Sequence, residues 1–350
     1  MTPVWLLAAA LGAISPAPAD TTLRALHAEI AGLAAGFDGD VGVAAIHLAS
    51  GRGVAVRGDE PFFLASVYKL PIAVALLRSV DAGAVGLGDT VRLAPWDFRI
   101  GRAIVAPNLP GGAGAYTVAR LVQAMVFDSD NSSSDAILRL TGGPRGVSDA
   151  LRAMGIPDIR IDRSEAETLL EFYGIEKALP EEERTPARLT AQVRASPAAA
   201  QRAAAERFAA TPQDAGTALA VAELLDRLWR GELLSPASTR LLLTHLRNSA
   251  IDTRILAGVP PGTPVWHKTG SYAAAATHDA GIVELPDGTH LVVVVLVRQP
   301  ARDTEAAERL IAAVAREAWE FWAGSSFAAD PGPAAALSRE DPRGSGADRR

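Results

Sequence analysis

Two of the three lysines in this 350-residue chain sit beside serines in short motifs, against a background of thirty-one arginines. Ser66-Val67-Tyr68-Lys69 sets a hydroxyl and an amine three residues apart, so a helix opening at Ser66 presents both on one face. A serine hydroxyl is a weak nucleophile until a neighbouring base takes its proton. A desolvated lysine near another cation can be that base, whereas a guanidinium keeps its proton. Ser129-Asp130-Asn131 lies where one helical stretch breaks and another begins, and all three residue types also cap helices well. Lys268-Thr269-Gly270-Ser271 closes a strand-like run, with a glycine that lets a ligand approach the backbone and a cation suited to a carboxylate.

In this order the three motifs resemble those of the class A serine β-lactamases, within the wider group of penicillin-interacting serine enzymes. The resemblance spans residues 22–323. It implies that Ser66 attacks a lactam carbonyl and that Lys69, or Glu165 through a water, takes the proton. Ser129 would pass a proton to the leaving nitrogen, and Asn131 would hold the substrate's side-chain carbonyl. Lys268 and Thr269 would meet the substrate carboxylate, and Ser271 would also bind substrate. The backbone N–H groups of Ser66 and Ser271 would face the developing oxyanion, each such donor being worth about 3 kcal/mol. Ile161 to Glu167 resembles the loop carrying the base that clears the acyl-enzyme, which implies Glu165 in that role, with Glu167 as the fallback. Arg254 is similar in position to an arginine that holds the substrate carboxylate in some members; a surface ion pair is its other reading. The substrate implied is a small-molecule β-lactam, with no metal or organic cofactor.

The chain departs from the family pattern around that loop. Leu169 or Leu170 replaces the asparagine that usually shares the hydrolytic water, Ala166 replaces a proline, and Asp135 stands for an asparagine that braces the loop. Pro180 to Arg184 resembles the loop's end, displaced by several residues. These changes fall on deacylation more than on acylation. Three other readings therefore stay open: a D-alanyl-D-alanine carboxypeptidase or penicillin-binding protein, a slowly deacylating β-lactam-binding sensor or degenerate homologue, and a serine hydrolase of the same fold acting on another amide.

The elements that must position these motifs divide between the ends and the middle of the chain. Leu23, Leu26, Ile30 and Leu33 have helical spacing, and Val41–Leu48 and Gly53–Val56 read as strands. Helical stretches follow at 66–80, 117–127, 134–140 and 216–230. Strand character returns in Pro264–Thr269, Ala280–Leu285 and His290–Val297, before a helix over Asp303–Phe321. Strands at both ends must meet to bury their faces. The fold class is thus α/β (α+β), a β-lactamase/transpeptidase-like antiparallel sheet flanked by helices and built from both chain ends, with an inserted all-α lobe. The α/β lobe is assigned to about 22–62 and 240–323 and the helical lobe to about 63–239. Residues 176–208, rich in Ala, Glu and Arg, read as a surface insertion, and 324–350 as a disordered tail.

A net charge of −6 offers no basic field for nucleic acid. The six histidines show no HxH, HxxxH or HExxH spacing, which argues against a zinc enzyme. Val4–Ile14 is an apolar run too short to span a bilayer, and Ala17-Pro18-Ala19 resembles a signal-peptidase site. Residues 1–19 are therefore expected to be a cleaved signal peptide, and residues 20–323 a catalytic domain in the periplasm or outside the cell. A chain with no cysteine has no site for a lipoprotein anchor. A monomer is expected.

Overall fold

The computed structural model describes residues 21–324, except for 102–104, 106–113, 176–178, 210, 248–250, 273–275 and 299–302. The segments read as a signal peptide and as a tail lie outside the described residues, residue 324 excepted.

Helix α1 (Thr21–Ala35) leads into strands β1 (Asp40–His47) and β2 (Gly53–Val56). After β3 (Pro61–Phe63), the middle of the chain holds α2 (Lys69–Asp81), β4 (Thr90–Leu93), β5 (Gly114–Thr117), α3 (Val118–Val126), α4 (Asn131–Leu140), α5 (Gly143–Ala153) and α6 (Glu165–Phe172). Helices α7 (Pro186–Ala195) and α8 (Ala198–Ala209) follow, then β6 (Ala215–Thr217), α9 (Ala218–Trp229), α10 (Pro236–Arg247) and α11 (Ile255–Gly258). Strands β7 (Val265–Tyr272), β8 (Ala276–Glu284) and β9 (His290–Arg298) precede the last helix, α12 (Thr304–Ala323).

The main sheet is antiparallel, in the order β2-β1-β9-β8-β7, so the ends of the chain pair at β1 and β9. Val43 stands opposite Val295, and Lys268 opposite Ala280. Strand β9 is apolar on both faces because both are covered. Leu291, Val293, Val295 and Val297 pack with α1 and α12, whereas Val292, Val294 and Leu296 join the core shared with α2, α9 and α10. Alternation of side chains along a strand produces this division. On β7 the same parity places Lys268 on the side of Trp266, facing the helical region.

Gly270 fixes how closely that strand meets the turn holding Ser66. A Cβ at position 270 would lie 2.9 Å from the Leu64 carbonyl oxygen and 3.1 Å from the Val67 nitrogen. Only a residue without a side chain permits this approach.

The described part of the segment read as a surface insertion, residues 179–208, is exposed or half-buried along most of its length but packs through a few side chains. It folds mainly as α7 and α8, which bury Leu189, Ala204 and Phe208. Phe208 meets Phe63 (4.8 Å between ring centroids), Tyr272 (5.1 Å) and Phe172 of α6 (5.4 Å). Arg163 lies over the Phe208 ring at 5.1 Å. The insertion is thus anchored beneath the elements that carry the candidate site.

Candidate active site

Ser66 lies in a 3-10 turn, Ala65–Tyr68, which runs directly into α2 at Lys69. Ala65 has φ +45° and Ser129 has φ +58°, both in the left-handed region. Non-glycine residues there hold local strain that the surrounding packing must sustain. The two strained positions bring the first two motifs together. Lys69 Nζ donates to the Ser129 carbonyl oxygen (2.6 Å), to Asn131 Oδ1 (2.8 Å) and to Ser129 Oγ (3.3 Å).

The third motif converges on the same hydroxyl. Lys268 Nζ donates to Ser129 Oγ at 3.0 Å and to the Thr269 carbonyl oxygen at 2.9 Å. Ser129 Oγ therefore accepts from two buried lysine side chains. That leaves its own proton to be given elsewhere, as a relay requires. Asp130 caps α4, accepting from Ser133 N at 2.6 Å, and it also accepts from Val105 N. Asp130 is thus the helix cap, while Ser129 and Asn131 line the cleft.

Glu165 is the first residue of α6. Ser164 caps this helix reciprocally with Glu167: Ser164 Oγ accepts from Glu167 N, and Glu167 Oε2 accepts from Ser164 N at 2.8 Å. Glu167 is thus a capping residue. Glu165 is buried, and Tyr68 OH donates to its Oε2 at 3.0 Å. Burial pushes the Glu165 carboxyl up to about 6, while the Lys69 cation and the Tyr68 hydrogen bond restrain the rise. A carboxylate in that range can accept a proton from water near neutral pH.

Asp135 keeps the bracing role of the asparagine it replaces. Its Oδ1 accepts from Glu165 N at 2.7 Å, and its Oδ2 accepts from Ala166 N at 3.0 Å and from Arg99 Nε at 2.7 Å. Of the two leucines, Leu169 lines the cleft with Glu165, and Leu170 faces a second cavity behind α6.

The loop does not end near Pro180–Arg184. Arg163 Nε donates to Asp214 Oδ2 at 2.7 Å, and Asp214 Oδ1 accepts from the backbone of Asp162 and Arg163. The closing partner lies beyond α7 and α8, so the insertion falls inside the loop. The short turn at Glu181–Glu183 has no buried residue to anchor an ending there.

Arg254 is buried, which rules out a surface ion pair. Its guanidinium donates to the carbonyl oxygens of Gly270 (3.0 Å) and His278 (2.7 Å), to Ser271 Oγ (2.6 Å) and to Glu308 (3.2 Å). It braces the end of β7 from behind and is absent from the residues lining the cleft.

The resulting cleft has a volume of about 290 Å³. Ser66, Ser129, Asn131, Glu165, Thr269 and Ser271 supply its polar lining. Leu169, Phe172, Tyr173, Ile251 and Tyr272 supply apolar walls. A hydroxyl nucleophile, a second hydroxyl held by two lysines and a buried carboxylate therefore share one space.

Residues 25–322 match the β-lactamase enzyme family. The chain belongs to that family. A carbapenem-hydrolyzing β-lactamase KPC from Klebsiella oxytoca is 30% identical over 307 residues, covering 86% of this chain and 90% of the relative. β-Lactamase OXY-2, also from Klebsiella oxytoca, is 27% identical, covering 83% and 88%. An ancestral class A β-lactamase (GNCA) superposes with a TM-score of 0.69 at 29% identity, covering 84% of this chain and 99% of that one. The fold of this chain, a sheet assembled from both chain ends with helices between, is thus similar to that of the ancestral enzyme.

Four contributors to the site were not singled out from sequence: Tyr68, Arg99, Phe208 and Asp214. Phe208 carried a signal, as the lone aromatic residue between Tyr173 and Trp229. Tyr68, Arg99 and Asp214 carried none, because their partners are distant in sequence.

Proposed function

We propose that this protein hydrolyses β-lactams through an acyl-ester on Ser66. The observation that carries the reading is the convergence of Lys69 and Lys268 on Ser129 Oγ, in the cleft shared by Ser66 and Glu165. Ser66 Oγ attacks the lactam carbonyl as Lys69 in its neutral amine form, or Glu165 through a water, accepts its proton. Ser129 gives its proton to the leaving nitrogen and is reprotonated from the lysines that hold it. Glu165 then takes a proton from water, the hydroxide attacks the ester carbonyl, and Ser66 leaves with a proton. Asn131, Lys268, Thr269 and Ser271 bind the substrate, and Arg254 acts on it through Ser271 rather than by contact. No metal or organic cofactor enters this scheme.

Export belongs to the same proposal, with residues 1–19 removed and residues 20–323 working as the catalytic domain. Among the described residues no helix is long and apolar enough to cross a membrane.

One observation favours a second reading. Leu169 presents a hydrocarbon beside Glu165, where an amide would help to hold water. A protein that acylates and clears the ester slowly would act as a β-lactam sensor. Nitrocefin turnover by the purified protein, beside Ser66→Ala and a peptide ending in D-Ala-D-Ala, separates the readings. Steady nitrocefin hydrolysis that is lost in the variant supports the lactamase. A single burst supports the sensor, and peptide cleavage without nitrocefin hydrolysis supports a carboxypeptidase.

A further inference from the structure

Glu165 has one oxygen already committed. Tyr68 OH donates to Oε2 at 3.0 Å, and both side chains are buried. Tyr68 belongs to the turn that also carries Ser66, one residue ahead of Lys69. The nucleophile, its lysine and the group holding the carboxylate are therefore fixed by one short segment of backbone. Leu169, one helical turn on from Glu165 and lining the same cleft, has no side-chain group to hydrogen-bond a water.

We propose that Tyr68 is a positioning residue for deacylation: its hydroxyl fixes Oε2 of Glu165, leaves Oε1 to take the proton of the attacking water, and supplies orientation that Leu169 cannot. This inference rests on the reading of Glu165 as the base. The geometry makes the division of labour between the oxygens explicit. A carboxylate free to rotate presents either oxygen, or neither, to the water; one held at Oε2 presents the other in a fixed direction. Tyr68 remains a donor throughout, because burial and the Glu165 charge raise its hydroxyl well above the ordinary tyrosine range. It moves no proton of its own.

The hydroxyl also bears on the pH at which the base works. A hydrogen bond to the charged form favours that form. Removing it lets the Glu165 carboxyl rise further, so the acid limb of turnover moves to higher pH.

The test compares wild type, Tyr68→Phe, Leu169→Asn, the double variant and Glu165→Gln, with nitrocefin as the substrate. Stopped-flow acylation, steady-state kcat across pH and intact mass during turnover are measured for each. Tyr68→Phe keeps the ring and its packing. The expected result is acylation within about twofold of wild type, kcat lowered about tenfold and an accumulating acyl-enzyme. The acid limb of kcat should move up by about half a unit or more. Adding Leu169→Asn to Tyr68→Phe should recover part of the lost kcat. Tyr68→Phe with unchanged kcat and acid limb overturns the assignment, as does an equal loss in acylation and deacylation accompanied by a lower melting temperature. Glu165→Gln tells the two failures apart. If it is trapped as an adduct while Tyr68→Phe behaves as wild type, only the tyrosine assignment falls. If it turns over at the wild-type rate, the reading of Glu165 itself falls.

Discussion

Arg163 and Asp214 form a buried ion pair, Nε to Oδ2 at 2.7 Å, across 51 residues of chain. Everything between them, including Glu165 and both inserted helices, is one loop closed by this contact. Arg163 also pairs with Glu171 at the end of α6, so its charge links the helix carrying Glu165 to the loop's closure.

Removing one member of a buried pair leaves the other charge without compensation, at a cost of about 3–5 kcal/mol. Asp214→Ala is therefore expected to lower stability by that order and to release the loop. Thermal unfolding measures the first effect. The ratio of deacylation to acylation measures the second, and it should fall.

The raised carboxyl of Glu165 makes stability depend on pH. Its value of about 6 in the fold compares with 4.5 for an unperturbed glutamate, and burial is the chief cause. A group whose folded pKa is raised contributes stability that is full below the unfolded value and lost as pH rises through the folded one. The shift corresponds to about 2 kcal/mol. Glu165→Gln should therefore be more stable than wild type by about 2 kcal/mol near pH 8, with the advantage gone near pH 4. Denaturant unfolding at the two pH values checks this. Activity should run the opposite way, with wild-type deacylation failing as pH drops below about 6.

Asp135 gathers two backbone N–H groups and one guanidinium at a single carboxylate. Asp135→Asn keeps one acceptor oxygen, whereas Asp135→Ala leaves both N–H groups and Arg99 without it. Each unmet buried donor costs about 1–3 kcal/mol. The alanine variant should lose more stability and more deacylation than the asparagine variant, as read by melting temperature and by the acyl-enzyme fraction during turnover. Equal effects would mean that Asp135 serves through charge alone.

Phe208 ties the inserted helices to the loop through Phe172 and to the sheet through Tyr272. Phe208→Ala should cost about 3–5 kcal/mol, as truncation of a buried phenylalanine does. Phe208→Leu should cost much less. Because Phe172 and Tyr272 both line the cleft, the alanine variant should also raise KM for nitrocefin.

Most of the fold was legible because its elements are strongly patterned. The β9 run of valines, the 3.6-residue spacing in α1 and α12 and the turn at Pro286–Gly288 each identify themselves locally. Strands β3 and β6 did not, since three residues have no period and pair only because the tertiary fold aligns Phe62 with Gly216. Strand β7 runs to Tyr272, past the Thr269 boundary read from sequence, because pairing with β8 carries it on. The motif serines and lysines were legible as chemistry; Lys69 and Lys268 meet at Ser129 Oγ, and Ser66 lines the same cleft. The loop's end was misplaced because Pro180–Arg184 looks like an ending locally, while the residue that closes the loop, Asp214, is recognisable only by its contact with Arg163.

The central claim is that Ser66 becomes acylated and Glu165 clears the ester. The most direct measurement is the intact mass of Glu165→Gln and wild type after mixing with a penicillin, followed by peptide mapping. The account predicts that the variant gains the mass of one whole penicillin on the peptide containing Ser66 and keeps it, while wild type returns to its unmodified mass as substrate is consumed. An unmodified variant, an adduct on another residue, or a variant that clears its adduct as fast as wild type would contradict it.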